Sequence, residues 1–474
     1  MSGTSLPNAA ALAVGAPSAA VLWRREILAT LRLAAPLVFT QLAMIGINTT
    51  DIVMMGWLGP DALAAGALGM NIYMPLYLFG MGIATVVAPM AAQALGARDF
   101  RGVRRTVRQG FWLTLLFGAI FTAIIFYGRH VLLATGQDPA ISLLAEDYLQ
   151  AVAWALIPSL WFVVLRCFVT AHSRPRSVLV IMLLAVAVNA VSNYGLMFGH
   201  FGLPRWELMG AGVTSSVVSL LSFLALLGYV QWDRRFKRYA VMGRFWRPDW
   251  GRFVELFRVG VPIGLTIVAE AGLFSAAAFL MGLISTEALA AHAIALQCAA
   301  VAFMVPLGLG QAAVVRVGLA AGARDRDGVA RAGWAALIAG LLFMTCSALV
   351  FWFAGGALVG LFLDAAAPEN AEVVELAVAF LVIAALFQLV DGGQVIGVHN
   401  LRGLKDTTVP MWLAIGGYWA VGLVASIVLA FPLGLGGRGV WIGLALGLAF
   451  VALAVNWRFH RRDRLLPNGG LPQP

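Results

Sequence analysis

The chain has 474 residues, 61% of them hydrophobic and only 11% charged, with a mean hydropathy of +0.89. No soluble core needs that much apolar surface, so a soluble enzyme or a disordered chain is excluded and a polytopic membrane protein is expected. A net charge of +10 alone would fit a nucleic-acid partner, but the placement of the charges decides against it.

Residues 1–22 are Ala-rich, carry no positive leader region and precede Trp23-Arg24-Arg25. They read as a cytoplasmic tail, with the first span as an uncleaved insertion signal. Apolar runs between charged or Gly/Pro-rich breaks then give twelve spans: 33–57, 62–95, 107–128, 146–167, 177–199, 208–231, 257–283, 288–319, 331–354, 373–400, 409–431 and 439–457. Of 32 Lys and Arg, only Arg129, Arg205 and Arg438 fall on one side. The other 29 (32 − 3) lie in, or at span ends facing, the opposite side. Basic residues stay cytoplasmic, which predicts both termini inside and a multi-pass plasma (inner) membrane protein. Cys167, Cys298 and Cys346 all fall in apolar segments, so no disulfide framework is implied.

The basic, aromatic stretch QWDRRFKRYAVMGRFWRPDWGRFVE divides the spans six and six. The expected organisation is a cytoplasmic tail at 1–24, a six-helix lobe at 25–232, a connector at 233–256, a second six-helix lobe at 257–460 and a second tail at 461–474. The connector reads as an amphipathic link on anionic headgroups. The halves repeat one another. LRLAAPLVFTQLAMIGINTTDIVMMGWLG returns as FRVGVPIGLTIVAEAGLFSAAAFLMGLIS, with Arg32, Pro36, Thr40, Gly46, Met55 and Gly56 matching Arg258, Pro262, Thr266, Gly272, Met281 and Gly282 at an offset of 226 (262 − 36). DALAAGALG pairs with EALAAHAIA, and ALGARDFRGVRR with AAGARDRDGVAR, without a gap. Six spans per half make the repeat parallel, with a pseudo-two-fold axis along the membrane normal. Pro36, Pro75, Pro89, Pro158, Pro262 and Pro306 lie within spans, where each removes a backbone donor and bends its helix.

Three carboxylates lie well inside apolar spans: Asp51, Glu270 and Asp391. Acids at that depth are costly and mark ion or substrate paths by default. No Arg or Lys lies at matching depth, so each acid is expected to be protonated, hydrated or paired with a bound cation. Asp51 is about six residues, or roughly 9 Å, from the outer end of its span. Asn189 and Asn193, one turn apart, and Thr214 lie at similar depth and complete an oxygen-rich candidate site for a small hard cation or a proton. Glu270 and Asp391 lie nearer the midplane of the second half, with Gln388 and Gln394 flanking Asp391 at i−3 and i+3. Two acids facing one cavity would attract an organic cation. His292 and His399, lone histidines near span ends, read as packing or interfacial groups. No Walker A loop, H-E-x-x-H, nucleophile elbow or Cys/His ligand spacing is present, so energy for transport must come from an ion gradient.

P-L-V-F-T-Q-L with Asp51, the paired ALGARD/AAGARD loops, NAVSNYGLMFGHFGLP followed by MGAGVTSS, and FQLVDGGQVIGVHNLRGLKDTTVP at 387–410 together resemble the multidrug and toxic compound extrusion (MATE) family, in its bacterial NorM-like branch. The resemblance covers about 31–460 and implies an all-α integral membrane fold of two six-helix lobes around a central cavity. It further implies secondary antiport of organic cations or amphipathic drugs for Na⁺ or H⁺, with no cofactor. Asp51 resembles the family's amino-terminal-lobe cation-site aspartate, with Asn189 and Thr214 as its polar companions. Asn193 stands where some members have a second aspartate, which puts a purely proton-driven mechanism of that type in doubt. Glu270 and Asp391 resemble the carboxyl-terminal-lobe acids proposed for Na⁺ or substrate, and Phe387 offers an aromatic ring one turn before Asp391. A possible Na⁺ is thus expected at Asp51 or at Glu270/Asp391, with a small organic substrate and the bilayer as partners, no nucleic acid, and a monomer. The alternative is a flippase for lipid-linked precursors, which would call for a basic cavity. A major-facilitator-type transporter has the same span count but no place for the D-G-G-Q-V stretch. A receptor or scaffold would have no need of three isolated acids.

Overall fold

The computed structural model describes residues 18–465 except 244, 248, 365 and 366, and no strand occurs among them. Most of the two tails assigned at 1–24 and 461–474 lies outside the described residues. Among the described residues eleven helices are long and apolar enough to cross a membrane, and the bent pair Pro139–Ala153 and Leu156–Ala171, taken as one span, brings the number to twelve. In chain order the others are Ala19–Leu58, Pro60–Gly96, Phe100–Phe126, Arg176–Phe198, Glu207–Trp232, Trp250–Ile284, Thr286–Gly322, Arg326–Phe353, Pro368–Gly403, Thr408–Ala430 and Gly436–His460. They are called spans 1 to 12 below, the bent pair being span 4.

Hydropathy marks the part of a helix that must sit in hydrocarbon, not where its hydrogen bonds end. Span 1 therefore starts at Ala19 rather than 33 and runs 40 residues. The helix breaks follow the prolines. Span 2 is interrupted at Val86, three residues before Pro89, and span 4 at Trp154–Ala155, just before Pro158. In each case the proline falls in the first turn of the new helix, where its missing N–H costs nothing. Pro36, Pro75, Pro262 and Pro306 stay inside continuous helices.

The repeat is visible in the packing. Span 1 lies against span 8, and span 2 against span 7. A two-fold exchange of the halves maps one pair onto the other. Gly82 abuts the backbone of Gly264, while Gly308 abuts Val38. Gly96 abuts Leu319, while Gly322 abuts Gln93. In both cases the second contact is the first with its members moved by the offset of 226 residues. Any side chain at these glycines would force the backbones apart. The loops after spans 2 and 8 match as well. Arg98 and Arg324 adopt φ of 58° and 60°, and Asp99 and Asp325 cap the next helices through Gly102 N at 2.8 Å and Gly328 N at 2.7 Å.

The contacts of Gly96 and Gly322 lie next to these arginine-rich loops, at the basic end of the molecule. Toward the other end, Gly56, Gly66, Gly69, Gly272 and Gly282 meet only atoms of their own half, or none within 4 Å. The halves are closed on each other at the basic end. Ties between them there include a two-pronged ion pair from Arg316 to Glu26 at 2.8 and 2.6 Å, and Gln93 Nε2 donating to Gly403 O at 2.8 Å.

The connector, expected as an amphipathic link on anionic headgroups, packs in part into the first half. Before the helix of span 7 begins at Trp250, only Arg234–Lys237 is helical among its described residues, and Phe236 and Tyr239 are buried. Their rings pack on Phe168 and His172 at 4.9–5.4 Å, and Arg108 donates to Gly243 O at 2.7 Å. The stretch is pinned to the first half by aromatic side chains, which a reading of its charges does not reveal. Its Trp246 and Trp250, like Trp232 just before it, remain exposed.

Candidate functional site

Two adjoining hollows occupy the space between the halves and inside the first half. The larger, about 560 Å³, is lined from both halves, by spans 1, 2, 4, 7, 8 and 10. The smaller, about 170 Å³, lies within the first half. They share Met44, Asn48, Met74, Tyr77 and Arg166 as walls.

Asp51 faces the smaller hollow from span 1, and span 5 supplies its partners. Asn189 and Asn193 sit one turn apart, fully buried, and both donate to Asp51 Oδ1, at 3.0 and 2.6 Å. Their own amide oxygens have no partner among the described residues. An amide turned end for end would present oxygen instead of N–H to the same point. The trio can therefore hold a carboxylate alone or offer oxygens to a small cation. No three His, Cys, Asp or Glu gather among the described residues. Thr214, the fourth expected member, is fully buried with no partner for its hydroxyl among the described residues and, like Asn193, is not among the residues that line the hollow. Span 6 contributes Ser215, Ser219 and Ser222 instead. Depth arithmetic fixes height along a helix but not azimuth, and one residue turns the side chain by about 100°. Tyr73, Tyr77 and Tyr148 complete the wall. The sequence reading missed them, although tyrosine is scarce in this chain, with only 8 in all.

Glu270, Asp391, Gln394 and Phe387 all line the larger hollow. Asp391 Oδ1 is buried without a hydrogen-bond partner among the described residues. Phe387 stands edge-on to Trp441 at 5.5 Å, which fixes its ring. Gln394 donates to the hydroxyl of Tyr418, a fully buried residue in the single π-helical turn recorded among the described residues, Gly416–Leu423. π-turns concentrate at functional sites because the extra residue re-aims neighbouring side chains. Gln388 does not join the group: its Oε1 accepts from Ser347 at 2.8 Å and it is absent from the cavity wall. At i−3 it lies on the other flank of the helix ridge from Gln394 at i+3. His399 lines the hollow, its Nδ1 held by Val395 O at 2.7 Å, rather than facing an interface. His292 is buried against Trp441, as a packing group would be.

The absence of Arg and Lys at the depth of the acids does not make the chamber purely acidic. Arg166 and Arg402 both line the larger hollow, at 5% and 8% exposure. Both were assigned to the basic end, as residues at the ends of spans 4 and 10. The cavity floor reaches down to those ends, and long side chains there turn inward. Arg402 lies within electrostatic reach of Glu270, and Glu270 of Asp391.

With this geometry in hand, the likenesses to known proteins become specific. A family profile described as MatE matches residues 36–195 and again 262–428. The chain belongs to the MATE family. The two matches begin 226 residues apart, the internal offset found above. Membership places the chain among transporters, not enzymes. A Mesorhizobium japonicum protein called probable multidrug resistance protein NorM is 48% identical over 96% of this chain and 98% of its own length. Another of that name, from Rhizobium meliloti, is 46% identical over 93% and 94%. Solved MATE structures share the fold at low identity. The eukaryotic MATE transporter AtDTX14 matches with a TM-score of 0.82 at 21% identity, covering 94% of this chain and 99% of that one. A mutant of the Vibrio cholerae MATE transporter VcmN matches with a TM-score of 0.85 at 16%, covering 94% and 98%.

Proposed function

We propose that this protein exports organic cations and related amphipathic drugs across the inner membrane in exchange for Na⁺ or H⁺. The halves 25–232 and 257–460 rock about the cavity between them, and 233–256 links them. The names of its relatives, probable multidrug resistance proteins, support the substrate class. The carrying observation is the adjacency of two hollows that share wall residues, one bordered by Asp51 with its two amides and the other by Glu270 and Asp391. The basic end is cytoplasmic on the charge rule, so the arrangement described above faces outward. Cation or proton arriving at Asp51 from outside favours release of substrate, provided it binds the two conformations unequally. No cofactor takes part, and a chamber enclosed by one chain suits a monomer.

Na⁺ as cargo fits the oxygens of Asp51, Asn189 and Asn193; a proton requires only Asp51. The experiment is uptake of a fluorescent organic cation into proteoliposomes, driven in turn by a pH gradient and by a Na⁺ gradient. Uptake under at least one gradient is expected. The buried arginines favour, as a second reading, a flippase for lipid-linked precursors. Movement of no cation under either gradient would support that reading and refute antiport.

A further inference from the structure

The larger hollow has a positive pole that this antiport scheme does not use. Arg166 projects from Leu156–Ala171 and lines both hollows. Its recorded partners are neutral and distant: Gln41 Oε1 at 3.4 Å and Met44 sulfur at 3.8 Å. Among the described residues no carboxylate comes within 4.0 Å of it. Arg402 is different, since Glu270 offsets its charge. A guanidinium this deeply buried without an anion is costly to maintain. Its planar fork matches the two oxygens of a carboxylate, which it holds through parallel hydrogen bonds.

The negative pole, Glu270 and Asp391, belongs to the other half, and both poles border one hollow with Phe274, Phe303 and Phe387. Its size of about 560 Å³ suits a drug-sized ligand. We propose that Arg166 is an oxyanion subsite, so that the cavity selects zwitterionic amphiphiles: the carboxylate on Arg166, the aromatic body against the phenylalanines, and the cationic nitrogen toward Glu270 and Asp391. This rests on reading the larger hollow as the substrate chamber, but not on antiport or on the coupling ion.

The test is equilibrium binding of two probes to the purified full chain without any gradient, so that failure of ion coupling cannot affect it. Rhodamine B carries a xanthylium cation and a free carboxylate; its ethyl ester has the same skeleton and cation without the acid. Arg166→Gln should weaken rhodamine B at least about tenfold, as loss of a charge-assisted pair implies, and leave the ester within about twofold. Arg166→Lys should recover part of the rhodamine B affinity. The ester's unchanged affinity reports that the variant is folded. Equal loss for both probes, or no loss for either, overturns the proposal. A small inorganic anion as the true occupant would weaken both probes in chloride and neither in gluconate, which also overturns it.

Discussion

The two halves share a backbone and differ in chemistry. Gly82 with Gly264 and Gly308 with Val38 repeat each other across the pseudo-two-fold, as do Gly96 with Leu319 and Gly322 with Gln93. So do the hydroxyls of Thr40 and Thr266, each bonded to a proline carbonyl four residues back at 2.8 Å. The acids do not repeat. At the offset of 226, Asp51 corresponds to Ala277 and Glu270 to Met44. Contacts that seal the halves against each other need both copies, because a two-fold joint is only as close as its wider side. Polar sites are free of that constraint. One half has kept a carboxylate in a small hollow with two amides. The other has two carboxylates and an arginine on the large cavity, with a buried tyrosine behind Gln394. On the proposed function, the first half senses the ion and the second holds the substrate's cation.

The largest effect should come from the second half. Glu270→Gln with Asp391→Asn should weaken binding of rhodamine B ethyl ester about 30-fold or more, by analogy with removing one side of a buried charge pair. Equal binding by this variant and wild type would erase the division of labour. The joint comes next. Gly96→Val and Gly322→Val should each destabilise the closed basic end by about 1–3 kcal/mol through overpacking. Spin labels at Arg98 and Arg324 should then show a longer distance, by the same amount in both variants. A response in only one would break the symmetry argument. Within the first half, Asn193→Ala removes the 2.6 Å donor to Asp51. Its loss, about 1.5–3 kcal/mol for a bond to a charged group, should change the concentration of coupling ion needed for half-maximal uptake about tenfold or more. Thr214→Ala should change it by about twofold at most. Smallest, Tyr418→Phe removes the hydroxyl that meets Gln394 and should cost about 1 kcal/mol, a severalfold loss in probe affinity.

Most of the architecture was legible because hydropathy, the sign of loop charges and an ungapped repeat are one-dimensional signals. The Asp51–Asn189–Asn193 cluster was legible for a related reason: an acid and two amides at equal depth in an apolar bundle have little else to satisfy them. Azimuth was not legible. Thr214 and Gln388 lie at the right height but do not line the hollows, while Ser215 and Gln394, close by on the same helices, do. The arginines escaped for another reason. A guanidinium at a span end reads as a topology signal, and nothing in the sequence tells whether its long stem bends toward the headgroups or toward the cavity floor. Tyr418 was invisible because its position depends on a π-turn in an otherwise ordinary apolar run.

The most direct measurement is uptake of rhodamine B ethyl ester by proteoliposomes containing Asp51→Asn, under the gradient that drives the wild type, alongside equilibrium binding of the same probe. The account predicts uptake no greater than in empty liposomes, with probe affinity within about twofold of wild type, since the substrate acids are untouched. Wild-type uptake at matched protein content would contradict it.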